Sequence, residues 1–118
     1  MDTGDSLQQL RAKLAEFAAE RDWDQFHNPK NLAMALVVEA SELVEHFQWL
    51  SPAEAADLSA SSKTEVAMEM ADVLMFLLRL ADKLDVDLIA AAYDKLELNR
   101  QKYPVEKARG HATKYDKL

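Results

Sequence analysis

Residues 28–50 read NPKNLAMALVVEASELVEHFQWL, and this stretch decides the fold. Asn28 is a strong N-cap and Pro29 suits the first helical position, so a helix starts here and runs to about Leu50. Its apolar residues reach almost all the way round. Ala33, Leu36, Val37, Ala40, Leu43, Val44 and Phe47 cover one wide arc, while Met34, Val38 and Trp49 lie on the other. A helix of that kind is buried on nearly all sides. It nevertheless carries Glu39, Glu42 and Glu45, and Glu39 falls angularly between Ala35 and Leu43, with Leu32 and Leu50 close by. Leaving a buried carboxylate unpaired is costly, so buried charges are paired or hold a metal.

The elements on either side follow from caps and periodicity. Ser51-Pro52-Ala53-Glu54 is a capping box that opens one short helical turn, and Ser62-Lys63-Thr64-Glu65 is a second that opens a helix to about Leu84. Asp85 caps a further helix that reaches about Lys102, because Pro104 cannot continue it. Upstream, Leu7, Leu10, Leu14 and Phe17 form one apolar stripe on a helix over residues 6–21. Residues 22–28 read as a loop and residues 104–118 as an irregular tail. Only 2 Gly and 3 Pro interrupt the chain, and no stretch alternates with period two. The expectation is an all-α fold close to a four-helix bundle, in one domain over residues 1–118.

The second acidic pair, Glu69-Met70-Ala71-Asp72, lies in an apolar run, with Asp72 on the stripe of Met68, Met75 and Phe76. The short connection over residues 51–61 returns this helix antiparallel to the first. Glu42 stands eight residues before Leu50 and Glu69 seven after Ser62, so each sits roughly 10–12 Å from the turn. Four carboxylates therefore converge at one height. They repel each other unless a divalent cation holds them, and an all-oxygen set selects Mg²⁺, with Mn²⁺ able to stand in. Di-iron bundles use Glu-x-x-His, and no histidine here lies three residues after a glutamate.

Composition narrows the function classes. The 118 residues carry 14 basic and 21 acidic side chains, a net charge of −7 that argues against a nucleic-acid polymer as partner. The absence of cysteine removes thiolate zinc sites and cysteine nucleophiles. Apolar runs such as residues 32–38 fall far short of the roughly 20 residues of a membrane span. The N-terminus has no apolar segment behind a basic start, which makes a cytoplasmic protein the expectation. Charge is segregated: residues 39–72 hold eight acids and one base, and residues 95–118 hold seven bases and three acids. An acidic middle suits cations and a basic end suits anions, as a metal-bound phosphate ligand requires. The plainer reading of most of these groups is solvated helix surface. Glu54 and Glu65 belong to caps, and basic side chains near a helix C-terminus are favoured there anyway. Tryptophans near helix ends are ordinarily core or interface.

With Glu39-x-x-Glu42 and Glu69-x-x-Asp72 in place, the sequence resembles the all-α nucleoside triphosphate pyrophosphohydrolases of the MazG-like group, nearest to their dCTP pyrophosphatase branch. The stretch Glu16-Phe-Ala-Ala-Glu-Arg-Asp-Trp23, running into Gln25-Phe-His27-x-Pro29-x-Asn31-Leu32, carries that likeness. So do Phe47-Gln-Trp49 and Lys95-x-x-x-Asn99-Arg-Gln-Lys-Tyr103-Pro. It extends from about Leu7 onward. The resemblance implies Mg²⁺-dependent hydrolysis of a nucleoside triphosphate to the monophosphate and pyrophosphate. Glu39, Glu42, Glu69 and Asp72 would bind the metal, with Glu45 an extra ligand or a water-orienting base. Lys95, Asn99 and Tyr103 match residues that hold phosphates and sugar, and Lys102 stands near enough to join them. Trp23, His27, Asn31 and Trp49 match positions at or near the base pocket. Leu14 stands where some relatives carry a histidine. The rivals are a non-catalytic helical oligomerisation module, a broad-specificity triphosphate cleaner and an enzyme of the phosphoribosyl-ATP pyrophosphohydrolase type. The all-round apolar helix also predicts a homo-oligomer, a tetramer built as a dimer of dimers, because a small domain has little interior of its own.

Overall fold

Every regular element among the described residues, 6–118 of a computed structural model, is helical. The described residues fall into two compact units, one ending at Asp85 and the other running from Val86 to Leu118.

In the first unit α1 spans Ser6–Glu20, α2 Pro29–Glu45, α3 Pro52–Ala56 and α4 Ala60–Leu84. Helix α4 is the axis: α2 packs along it and α1 lies against it. The buried apolar side chains are few, namely Ala18 of α1, Leu32 of α2, and Val66, Leu78 and Ala81 of α4. Helix α2 starts as its sequence predicts, with Pro29 in its first turn and the Asn31 N–H donating to the Asn28 side chain at 2.9 Å. It stops at Glu45, and residues 46–49 form turns, so Phe47 and Trp49 lie beyond the helix. The capping box at α3 is complete: the Glu54 N–H donates to Ser51 Oγ at 3.1 Å, and the Ser51 N–H donates to Glu54 Oε1 at 2.9 Å.

Two caps differ from expectation. Ser59, not Ser62, is the N-cap of α4, accepting from the Ser62 N–H at 3.2 Å, so the helix gains an extra turn. Asp85 does not open the last long helix. It closes α4 in a left-handed conformation, φ 54°, which short polar side chains tolerate. Asp87 caps α5 instead, accepting from the Ala90 N–H at 3.1 Å.

The second unit consists of α5, Leu88–Lys102, and α6, Val105–Ala108, followed by a 3₁₀ turn at Tyr115–Lys117. The tail is thus less irregular than its composition suggests. Gly110 takes φ +77°, a conformation open to glycine. None of the described helices is long and apolar enough to cross a membrane.

A single chain leaves much of α2 uncovered. Met34, Val37, Val38 and Val44 are all more than half exposed, and Met68 and Met70 of α4 are too.

Candidate active site

Helical spacing builds the acidic cluster. Glu39 and Glu42 lie three residues apart on α2, and Glu69 and Asp72 three apart on α4, so each pair shares one helix face. All four are half-buried. One carboxylate oxygen from each of Glu39, Glu69 and Asp72 falls within 4.8 Å of the others. Glu42 falls outside that set of three but interacts with both Glu39 and Glu69. Among the described residues, no lysine or arginine forms an ion pair with any of the four.

The electrostatic result is strain of a definite sign. A hydrogen bond shared with Glu42, then burial, then the charges of Glu42 and Asp72 push the Glu39 carboxyl up to about 7. Burial first, and the Glu42 charge second, raise Glu69. Glu39 Oε2 and Glu69 Oε2 are buried with no hydrogen-bond partner. Two orphaned acceptors within a ring of hard oxygen donors fit a divalent cation of the Mg²⁺ class.

Glu39 and Asp72 also line a cavity of about 500 Å³. Helix α1 contributes Lys13, Leu14, Phe17 and Ala18 to its wall, and α4 adds Met75, Phe76 and Arg79. Trp23 and His27 enter from the α1–α2 connection. That connection is shaped locally. Asp22 takes φ 56°, the Trp23 N–H donates to Ala18 O at 2.9 Å, and a 3₁₀ turn at Asp24–Phe26 brings His27 round. Trp23 meets Phe17 edge to face, centroids 5.6 Å apart, and Phe76 adds a further aromatic ring to the wall.

Behind the wall lies an ion-pair network. Arg79 is 4% exposed. Its Nε donates to His27 Nδ1 at 3.1 Å, Nη1 to Asp82 Oδ2 at 2.9 Å and Nη2 to Asp24 Oδ1 at 2.8 Å. Lys83 Nζ also donates to Asp24 Oδ1, at 2.6 Å, and Arg11 Nε to Asp82 Oδ1 at 3.2 Å. Hydrogen bonds from Lys83 and Arg79 hold the Asp24 carboxyl below the usual carboxylate range. Burial, then the Arg79 charge, lowers the His27 imidazole.

The remaining predicted residues lie elsewhere. Asn31 does not line the cavity: its side-chain amide donates to Phe26 O at 3.1 Å and ties the turn to α2. Glu45 ends α2, exposed and outside the set of three. Trp49 is 87% exposed and off the cavity wall. Lys95, Asn99 and Lys102 lie on α5 and Tyr103 caps it, all in the second unit. There Tyr103 packs edge-on against Tyr115, and the Lys102 ammonium stands 4.9 Å from the Tyr115 ring. Sequence reasoning did not assign Phe17, Phe76 or Arg79 to the site. The signal was there: Asp72, Met75, Phe76 and Arg79 are spaced 0, 3, 4 and 7 along one face of α4.

Comparison with known proteins points the same way. The chain is 49% identical over 115 residues to dCTP pyrophosphatase 1 of Rattus norvegicus and 44% identical to that of Homo sapiens, covering 96% of this chain and 68% of each relative. A crystal structure of a pyrophosphatase from Archaeoglobus fulgidus superposes with a TM-score of 0.67 at 37% identity, covering 82% of this chain and 91% of that one. The model of the MazG-like family matches residues 34–118, a span that includes all four clustered carboxylates. With its paired acids on two packed helices and this likeness, the chain belongs to the MazG-like family.

Proposed function

We propose that the protein hydrolyses a nucleoside triphosphate, with dCTP the preferred substrate, to the monophosphate and pyrophosphate. The observation that carries this reading is the sharing of Glu39 and Asp72 between the acidic cluster and the cavity that Phe17, Trp23 and Phe76 help to line. A triphosphate held at the cluster places its base beside Trp23 and His27. The names of the relatives supply the choice of dCTP.

Glu39, Glu42, Glu69 and Asp72 would hold Mg²⁺, with Mn²⁺ able to replace it. When bound, the ion neutralises charge on the phosphates and makes water more acidic. The chain's own groups do the rest. A carboxylate not fully engaged in ligation, among Glu39, Glu42 and Glu45, orients the attacking water and takes its proton. The water oxygen bonds to the α-phosphorus as the bond to the bridging α–β oxygen breaks, and pyrophosphate leaves. Phe17 and Trp23 offer the base an aromatic wall. Lys95, Asn99, Lys102 and Tyr103 grip phosphates and sugar. Asn31 acts indirectly, tying the turn before His27 to α2 through Phe26 O, and Trp49 acts at the pocket's edge. Because Trp49 is exposed in a single chain, its share in the pocket comes with assembly. The uncovered apolar faces of α2 and α4 support a homo-oligomer, a tetramer built as a dimer of dimers. A substrate drawn from the nucleotide pool fits a single cytoplasmic domain over residues 1–118.

A panel of nucleoside triphosphates with Mg²⁺, reading monophosphate and pyrophosphate together, tests the proposal. The expected result is fastest release from dCTP, abolished by chelator. Release of orthophosphate instead, or no release from any triphosphate, overturns it. Equal rates across the panel replace dCTP preference with broad specificity.

A further inference from the structure

One part of the cavity wall is built around a hydrogen bond of fixed direction. A guanidinium has no acceptor and keeps its charge, so the contact from Arg79 Nε to His27 Nδ1 at 3.1 Å requires a lone pair on Nδ1. A neutral imidazole with that lone pair carries its only proton on Nε2. An imidazolium would set one N–H against another.

The surroundings enforce the neutral form. The charges that act on His27 are those of Arg79 and Lys83 against that of Asp24, an excess of positive charge. A second positive charge on the ring would add to that excess. The lock is also rigid. The Arg79 side chain is 5% exposed and is clamped by Asp24 from the turn before His27 and by Asp82 from its own helix.

We infer that Arg79 is a positioning residue: it holds His27 as the Nε2–H tautomer, so that His27 offers the cavity's occupant a hydrogen-bond donor and no acceptor. Both residues line the cavity. The occupant is then a flat heteroaromatic ring with a carbonyl acceptor on its edge, as a pyrimidine has at O2, lying against Trp23 and Phe17. A site built to donate to such an acceptor discriminates strongly against analogues that lack it. Only the identity of the occupant rests on the nucleotide reading above.

The test begins without nucleotide. Long-range ¹H–¹⁵N correlation spectra of the ¹⁵N-labelled protein separate pyridine-type from pyrrole-type imidazole nitrogens. His27→Asn assigns the signal among the three histidines. The expected spectrum shows His27 Nδ1 as pyridine-type and Nε2 as pyrrole-type. In Arg79→Met both nitrogens move toward the average of exchanging tautomers. Asp24 keeps Lys83 and Asp82 keeps Arg11 in that variant, so neither acid is stranded. Its KM for dCTP is expected to rise about tenfold, with kcat within about twofold. A wild-type proton on Nδ1, or an Arg79→Met spectrum identical to wild type, overturns the inference. Should Arg79→Met not fold, the wild-type spectrum still decides the tautomer. His27→Asn, whose amide oxygen can accept from Arg79 but which has no donor at the Nε2 position, then carries the binding arm. An unchanged KM in that variant refutes the donor role. Because the spectra need no substrate, failure of the dCTP reading appears separately, as absent turnover.

Discussion

Glu39→Gln should stabilise the metal-free protein while removing its response to Mg²⁺. The carboxyl is raised from an ordinary value near 4.5 to about 7. Between those two values the folded state holds a proton that the unfolded state has released, so stability falls as pH rises through that window. The loss is complete about one pH unit above 7. At about 1.4 kcal/mol per pH unit the shift is worth about 3 kcal/mol, and solvent at the half-buried cluster screens that to about 1–2 kcal/mol. Glutamine keeps the shape and removes the charge. Near pH 8 in chelator, the variant should melt about 4–8 °C above wild type, at about 4 °C per kcal/mol for a domain of this size. Near pH 4.5 the two should coincide. Mg²⁺ at about one hundred times its Kd should add about 2.7 kcal/mol to the wild type and almost nothing to the variant, whose turnover should be largely lost. Thermal melts by circular dichroism, with and without Mg²⁺ at both pH values, read all four quantities. A metal-free variant that melts below wild type refutes the like-charge strain, and a full Mg²⁺ shift in the variant refutes the ligand assignment.

Three further outcomes follow from the geometry. Trp23→Ala should raise the KM for dCTP roughly 5- to 150-fold through lost stacking, as judged from initial rates, while isothermal titration shows metal affinity in the absence of nucleotide unchanged. Ser51→Ala removes the acceptor for the Glu54 N–H and should cost about 1 kcal/mol, lowering Tm by about 4 °C with KM unaltered. Light scattering coupled to size exclusion should give a mass several times that of one chain. A value near 13.3 kDa in a fully active sample would refute the oligomer and any pocket shared across it.

Much of the site was legible because its logic is local. The spacing of Glu39, Glu42, Glu69 and Asp72 fixes which helix faces they share, and the length of the connection fixes the height at which they meet. The cap at Asn28 and the box at Ser51 are written within four residues each. Where several capping residues compete, local reading fails: Ser59, Ser61 and Ser62 crowd the start of α4, and Asp85 and Asp87 flank the start of α5. Which of them caps depends on how the preceding turn closes, as the left-handed Asp85 illustrates. The Arg79 network was least legible, since it joins residues 24, 27, 79 and 82 through contacts that only the packing of the connection against α4 creates. Periodicity places Arg79 on the Asp72 face but does not name its partners.

Glu39 and Asp72 belong at once to the acidic cluster and to the cavity wall. Two ligands that share two side chains cannot bind independently. If an ion at the cluster changes nucleotide affinity by some factor, the nucleotide must change ion affinity by the same factor, because the cycle of binding steps closes. Free ion concentration then sets more than the rate of the chemistry. Where that factor favours binding, it also sets the nucleotide concentration at which the protein begins to fill, and a chain short of metal would hold its substrate weakly.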